Sequence, residues 1–304
     1  MKRLLLFGAI LTLMARGAAA QQPDKAQVIV HYKFIHIRDT NNRTHPYLEN
    51  MALYIGKSAS IYRSYEFILE DARYKKEFEQ QLAKSPNGYV TVNHYYTGSP
   101  TEYYLFPNEQ KLFTVEKLLS NSYLMDNPMP VINWKISSET ATIGDLRCQK
   151  ASCHFKGRDY TVWFCPDLPV HTGPWKLNGL PGVIVDAHDT KNEVVFKFDG
   201  VEKAGPWPPK GSTPANGKKP LPILGTDNSN TDPNLIALPA NAIKTTQKQF
   251  DKLSAAMHKD PNAFAQASTA GQGGLKGDGP KMDAKAKGGG GPVINNPIEL
   301  PEKK

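Results

Sequence analysis

Cysteine is scarce, with 3 residues in 304: Cys148, Cys153 and Cys165. That excludes a disulfide-stapled scaffold, and an odd number leaves at least one thiol outside any intrachain bridge. Catalytic signatures are also missing. The chain has no Gly-x-Ser-x-Gly elbow, no His-Glu-x-x-His, no paired-Cys spacing and no phosphate loop ending in Lys-Ser or Lys-Thr. The first apolar run covers only residues 4–14. A spanning helix needs about 20 apolar residues, so no integral membrane span is expected. Arginine is absent from residues 201–304, where 14 Lys face 9 acids. Residues 21–200 balance 20 basic against 20 acidic side chains. A nucleic-acid binder concentrates Arg and aromatics on its fold, and this distribution excludes nucleic acid as a partner.

The aromatic residues are just as unevenly spread. Only Trp207, Phe250 and Phe264 of the 29 aromatics lie beyond residue 200, whereas 13 of 24 Gly and 13 of 24 Pro lie there. Core-building material is therefore concentrated in residues 21–200, and 201–304 reads as a linker and flexible C-terminal region. Within it, residues 241–258 form a helix pattern, capped by Asn241 and closed by Asp260-Pro261. Residues 271–291 are Gly/Lys-rich and too apolar-poor to order. Residues 293–300 are apolar again and read as a strand returning to the sheet. At the other end, Lys2 and Arg3, the run 4–14 and Ala18-Ala19-Ala20 compose a secretory signal peptide over 1–20. The chain is thus expected to be exported, to the periplasm or cell envelope.

Period-two alternation dominates residues 21–200. Val28, Val30, Tyr32, Phe34 and His36 share one face of a strand, as do Met51, Leu53 and Ile55. Residues 66–84 switch to helical spacing. Strands are expected over 89–96, 101–106, 112–117 and 131–136. Hairpins are expected over 147–164, turning at Gly157-Arg158, and over 183–198. The expected fold is mainly β: a curved antiparallel sheet of eight to ten strands with one wet face and one or two helices. An open half-barrel is the analogy that this strand order suggests.

One stretch stands out. Gly173-Pro174-Trp175 and Gly179-Leu180-Pro181-Gly182-Val183-Ile184 resemble the signature of the GLPGLI family, exported proteins of Bacteroidota with no established function. Tyr32-Lys33-Phe34, Ser58-Ala59-Ser60-Ile61-Tyr62 and Asn295-Asn296-Pro297-Ile298-Glu299-Leu300 extend the resemblance. Val183 departs from the Leu of the family name. The resemblance implies no catalytic residue and no ligand, although such genes often lie beside outer-membrane receptors. From the residues themselves, two Gly bracketing Leu180-Pro181 before an apolar strand read as a corner, with Gly182 at positive φ and Leu180 in the core. The alternative is a rim that touches a ligand or partner.

Candidates for chemistry are thin. His171, Asp186, His188 and Asp189 suggest a metal or hydrolase cluster, but they read equally as turn and surface residues. Cys165 with His171 is a second nucleophile candidate. Glu66, Glu70 and Asp71 read as a solvated helix face. The hairpin register brings Cys148 nearer than Cys153 to facing Cys165, so Cys148 and Cys165 are the expected disulfide. No cofactor or metal is expected. The function expected is non-enzymatic: an envelope protein binding an apolar ligand or an outer-membrane partner. An accessory of an outer-membrane receptor and a periplasmic hydrolase are the alternatives. The leader predicts that the exported protein begins at Gln21. Mass analysis should return that N-terminus, and retention of Met1 overturns the export reading.

Overall fold

The computed structural model describes residues 23–85, 98–119, 121–205, 232–270 and 293–302. The leader, the strand expected over 89–96 and the Gly/Lys-rich stretch 271–291 lie outside the described residues. The alternation of the first half becomes a run of strands: β1 Asp24–Lys25, β2 Val28–His36, β3 Tyr47–Ile55 and β4 Ser60–Ser64. Ser64 then caps helix α1, Tyr65–Lys84, accepting from the Phe67 N–H at 3.2 Å. Next come β5 Glu102–Phe106, β6 Lys111–Leu118, β7 Asn121–Pro128, β8 Lys135–Ile143, β9 Leu146–Phe155, β10 Arg158–Cys165, β11 Val183–Asp189 and β12 Val194–Lys203. The last elements are β13 Leu235–Ile236, β14 Ile243–Thr245 and helices α2 Gln247–Lys259 and α3 Pro261–Ala270.

Twelve strands form one sheet in the order β14-β7-β6-β5-β4-β3-β2-β12-β11-β10-β9-β8, while β1 pairs with β13. Two meanders, β2 to β7 and β8 to β12, are thus joined where β12 pairs with β2. All pairs in the large sheet are antiparallel except β14 with β7. This is the mainly β, open, curved sheet that the alternation implies. Its curvature follows from chain length. The sheet places β7 and β8 ten strand spacings apart, about 48 Å if flat. The link 129–134 can span no more than about 25 Å. The sheet must therefore curl until its edges approach. Ile132 and Trp134 of that link pack on the core built by Val30, Tyr32, Met51, Leu53, Phe164, Trp175, Leu180 and Ile184, which places this core inside the curl.

The outer face is not wet along its middle. Ala52, Tyr54, Ile61, Tyr104, Phe113 and Val115 form a second core, covered by Tyr65 and Ile68 of α1 and by Ile236, Leu238 and Ala242. β3 and β4 are consequently buried on both faces along most of their length. A third cluster seats Phe250 of α2 on Leu118, Tyr123 and Met125. Several boundaries differ from the expected ones. β7 and β8 occupy much of what read as a loop and a strand over 131–136, because β7 ends at Pro128 and the chain then crosses the inner face. Thr246, not Asn241, caps α2 through a capping box with Gln249, because 243–245 are held extended against β7. Pro261 starts a further helix at its first position, where a missing N–H costs nothing. Residues 293–302 return to the sheet as an irregular strap and not as a strand.

The corner after β10 has the geometry that its glycines imply. Gly182 sits at φ 157°, and a Cβ there would lie 2.2 Å from the Cys165 carbonyl oxygen. Leu180 is 1% exposed. Gly182→Val should therefore unfold the protein at lower urea, by at least about 2 kcal/mol, and Leu180→Ala should cost about 2–5 kcal/mol. Melts matching wild type for both variants overturn the corner.

Candidate functional site

A cavity of about 340 Å³ opens on the inner face. Phe34 of β2, Met51 of β3, Tyr62 of β4, Tyr103 of β5 and Phe196 of β12 form its wall. Trp175, from the loop between β10 and β11, and Ile294, Pro297 and Ile298 of the strap complete it. Alternation aims every second residue of these strands inward, so five neighbouring strands supply one aromatic lining. Phe196 is its centre. Phe34 stacks on it with ring centroids 5.1 Å apart, Trp175 at 6.3 Å and 13° between planes, and Tyr62 meets it edge-on at 6.2 Å.

Trp175 is held in an unusual state. Its φ is +56°, a region that a bulky residue rarely adopts. It is 4% exposed, and its indole N–H has no hydrogen-bond partner among the described residues. The Tyr103 hydroxyl is near enough to be influenced by that N–H, but the geometry falls short of a hydrogen bond. The Tyr62 hydroxyl is also buried and unpartnered. Burial and neighbouring carboxylates hold both tyrosines protonated, their pKa values pushed up.

The strap wall depends on one side chain. Arg158, at 4% exposed, directs all five guanidinium N–H donors at acceptors. Nε donates to the Ile298 carbonyl at 2.9 Å. Nη2 donates to Asn296 Oδ1 and to the Pro297 carbonyl, both at 2.7 Å. Nη1 pairs with Asp189 at 2.7 Å and with Glu193 at 3.4 Å. Asn296 Nδ2 donates to the Ile37 carbonyl at 2.7 Å, and Glu299 pairs with Lys176 and with Lys156. Gly157 keeps the hairpin flat against Leu300; a Cβ there would lie 2.7 Å from the Leu300 carbonyl oxygen.

At the mouth, Arg38 lies 3.3 Å above the Tyr47 ring. The Tyr47 hydroxyl donates to Glu49 at 2.6 Å, and the Ser99 N–H donates to the same carboxylate. His36, 5% exposed, donates from Nε2 to the Asn296 carbonyl at 2.8 Å. Burial, aided by the positive charges of Arg38 and Arg158 and opposed by the Asn296 bond and Asp189, depresses its pKa to about 4.

The motif residues divide between two jobs. Gly179, Leu180, Pro181, Gly182, Val183 and Ile184 turn the chain into β11 and fill the inner core. Gly173 and Pro174 deliver Trp175 to the cavity. Asp189 is no surface residue but part of the Arg158 clamp, a role invisible where Arg158 read as a turn residue. Of the hydrolase candidates, His188 and Asp186 stand 3.9 Å apart, and Asp186 also accepts from the Phe198 N–H. His171 is exposed while Cys165 is fully buried, so that pair is not assembled. Among the described residues, no group of three His, Cys, Asp or Glu is placed to hold a metal ion. Glu66 accepts from Asn50 at 2.7 Å and Glu70 pairs with Arg73; the Asp71 side chain lies outside the described residues. The β9–β10 hairpin turns at Lys156-Gly157, one residue earlier than expected, and its register continues to place Cys148 opposite Cys165. All three thiols are unbonded in this structure, and burial pushes those of Cys148 and Cys153 up to about 12.

No family model matches the chain, and no curated protein matches it. Two solved structures of PNGF-II, in space groups P21 and C2, superpose with TM-scores of 0.44 and 0.45 at 11% and 12% identity. The match covers 75% of this chain but only 32% of PNGF-II, so the chain spans about a third of that protein's length. A likeness at this level carries no functional argument. Among the described residues, no helix is long and apolar enough to cross a membrane.

Because the folded state keeps His36 neutral while the unfolded chain protonates it near its ordinary 6.5, stability should fall as pH drops from about 6.5 to about 4, by on the order of 3 kcal/mol. Urea unfolding across that range should show the slope, and His36→Gln should flatten it. Parallel slopes overturn this assignment.

Proposed function

We propose that this protein is a non-enzymatic cell-envelope protein of the GLPGLI family that takes an apolar small molecule into the curl of its sheet. The observation that carries the reading is the 340 Å³ cavity with its stacked aromatic wall. Pockets of this size, mainly apolar with few polar groups, are the usual form of small-molecule sites. Export is supported by the leader pattern of residues 1–20, and family membership by Gly173-Pro174-Trp175 and Gly179-Leu180-Pro181-Gly182. The chemistry candidates are scattered across the fold, which favours binding over catalysis.

The strap supplies the entrance. Ile294 lines the cavity yet is 53% exposed, so it guards the mouth. Titration of the mature chain with N-phenyl-1-naphthylamine should give saturable, blue-shifted fluorescence. Ile294→Asp places a charge at the apolar mouth and should weaken binding about fivefold or more with an unchanged melting temperature. Absence of saturable binding overturns the reading.

A further inference from the structure

Two charged side chains line the cavity, Arg38 and Glu49. His36 lines it too, but its depressed pKa keeps the ring uncharged at neutral pH. The two charges are not equivalent. Glu49 is 4% exposed, and both of its oxygens are used: one accepts from the Tyr47 hydroxyl at 2.6 Å and the other from the Ser99 N–H. Arg38 has no ion-pair partner among the described residues. The neighbouring carboxylate, Asp39, is engaged elsewhere, accepting from the Asn41 N–H at 2.9 Å and from Asn295 Nδ2 at 2.8 Å. The Arg38 guanidinium lies instead on the face of Tyr47, 3.3 Å from the ring centroid. Stacking uses the flat face of a guanidinium and leaves its in-plane fork of N–H donors for an anion. The backbone of the same residue anchors the strap, because its carbonyl accepts from the Asn295 and Asn296 N–H groups at 3.1 and 3.0 Å. The unpaired cation therefore stands where the strap begins, at the mouth that Ile294 guards.

An apolar cavity with an unpaired cation at its rim fits an amphiphile with an anionic head. Phe34, Tyr103 and Ile298 are half-buried and offer apolar surface to the tail. About 340 Å³ holds about eleven groups of the size of a water molecule, which suits one medium-length alkyl chain and not the paired chains of a membrane lipid. A carboxylate matches the guanidinium fork and brings a single charge. A phosphate monoester brings nearly two, and the second would meet the Glu49 carboxylate. We propose, building on the binding reading above, that the ligand is a medium-chain alkyl carboxylate. Its head pairs with Arg38 at the mouth, and its tail lies along Phe34, Tyr103 and Ile298.

The test is displacement of N-phenyl-1-naphthylamine from the mature chain by octanoate, octanol, octylamine and octyl phosphate at pH 8. Octanoate should bind about fivefold or more tighter than octanol, and added salt should shrink that advantage. In Arg38→Gln the advantage should vanish while octanol keeps its affinity, which also reports that the variant is folded. If octanol binding is lost too, the salt series and the octylamine comparison on the unaltered chain decide. Octanoate binding no tighter than octanol, an advantage that ignores salt or survives Arg38→Gln, or tighter binding of octylamine or octyl phosphate than of octanoate each overturn the proposal while the cavity still takes the probe. Failure of the probe itself to bind, by contrast, brings down the binding reading and this inference together.

Discussion

Arg158 ties the C-terminal strap to the turn between β11 and β12. Its guanidinium is buried, and a buried cation is tolerated only when its donors are all used and its charge is matched. Here two carboxylates from the β11–β12 turn supply the charge, and strap carbonyls and an amide supply the remaining acceptors. The strap has no ladder of its own and few backbone hydrogen bonds, from Asn295 and Asn296 to Arg38 and from Leu300 to Lys156. The clamp binds the Pro297 and Ile298 carbonyls directly, between the bonds that Asn296 makes to Ile37 and that Glu299 makes to Lys156 and Lys176. One wall of the cavity therefore depends on an ion pair network whose members lie 31, 35 and 138 to 140 residues from Arg158.

The rest of the cavity depends on how the curl is filled. A sheet that curls but does not close leaves an inner face that side chains alone cannot cover. The loop between β10 and β11 does most of the filling, with Trp175, Leu177 and Leu180 all buried. The glycine corner lets that loop pass against the Cys165 carbonyl and still enter β11 in register. The same loop that stabilises the core thus presents a strained tryptophan to the space left over. Folding device and cavity wall are two ends of one segment.

The period-two pattern made the sheet, the inward set of β2 and β3, and the helical switch after Ser64 legible, because alternation and helical spacing are local properties of a chain. The glycine corner was legible for the same reason: Gly182 and Leu180 have few conformations and burials open to them. The Cys148–Cys165 register followed from a two-residue hairpin. Arg158 was not legible. It read as a turn residue because it follows Gly157, and nothing near it in sequence signals the acceptors it finds in the strap.

The chain alone therefore determined a mainly β fold, a leader pattern, an aromatic-rich half and a rigid motif, all of them consequences of local spacing and composition. The tertiary structure decided the curl, through a link too short to cross a flat sheet. It also decided the burial of the outer face under α1 and the conversion of the last apolar peptide into a clamped strap. Above all it decided that Tyr62 and Trp175, 113 positions apart, would meet on Phe196 with their polar atoms buried and unpaired. Unsatisfied hydrogen bonds are a property of what surrounds a side chain, and only the folded chain specifies the surroundings.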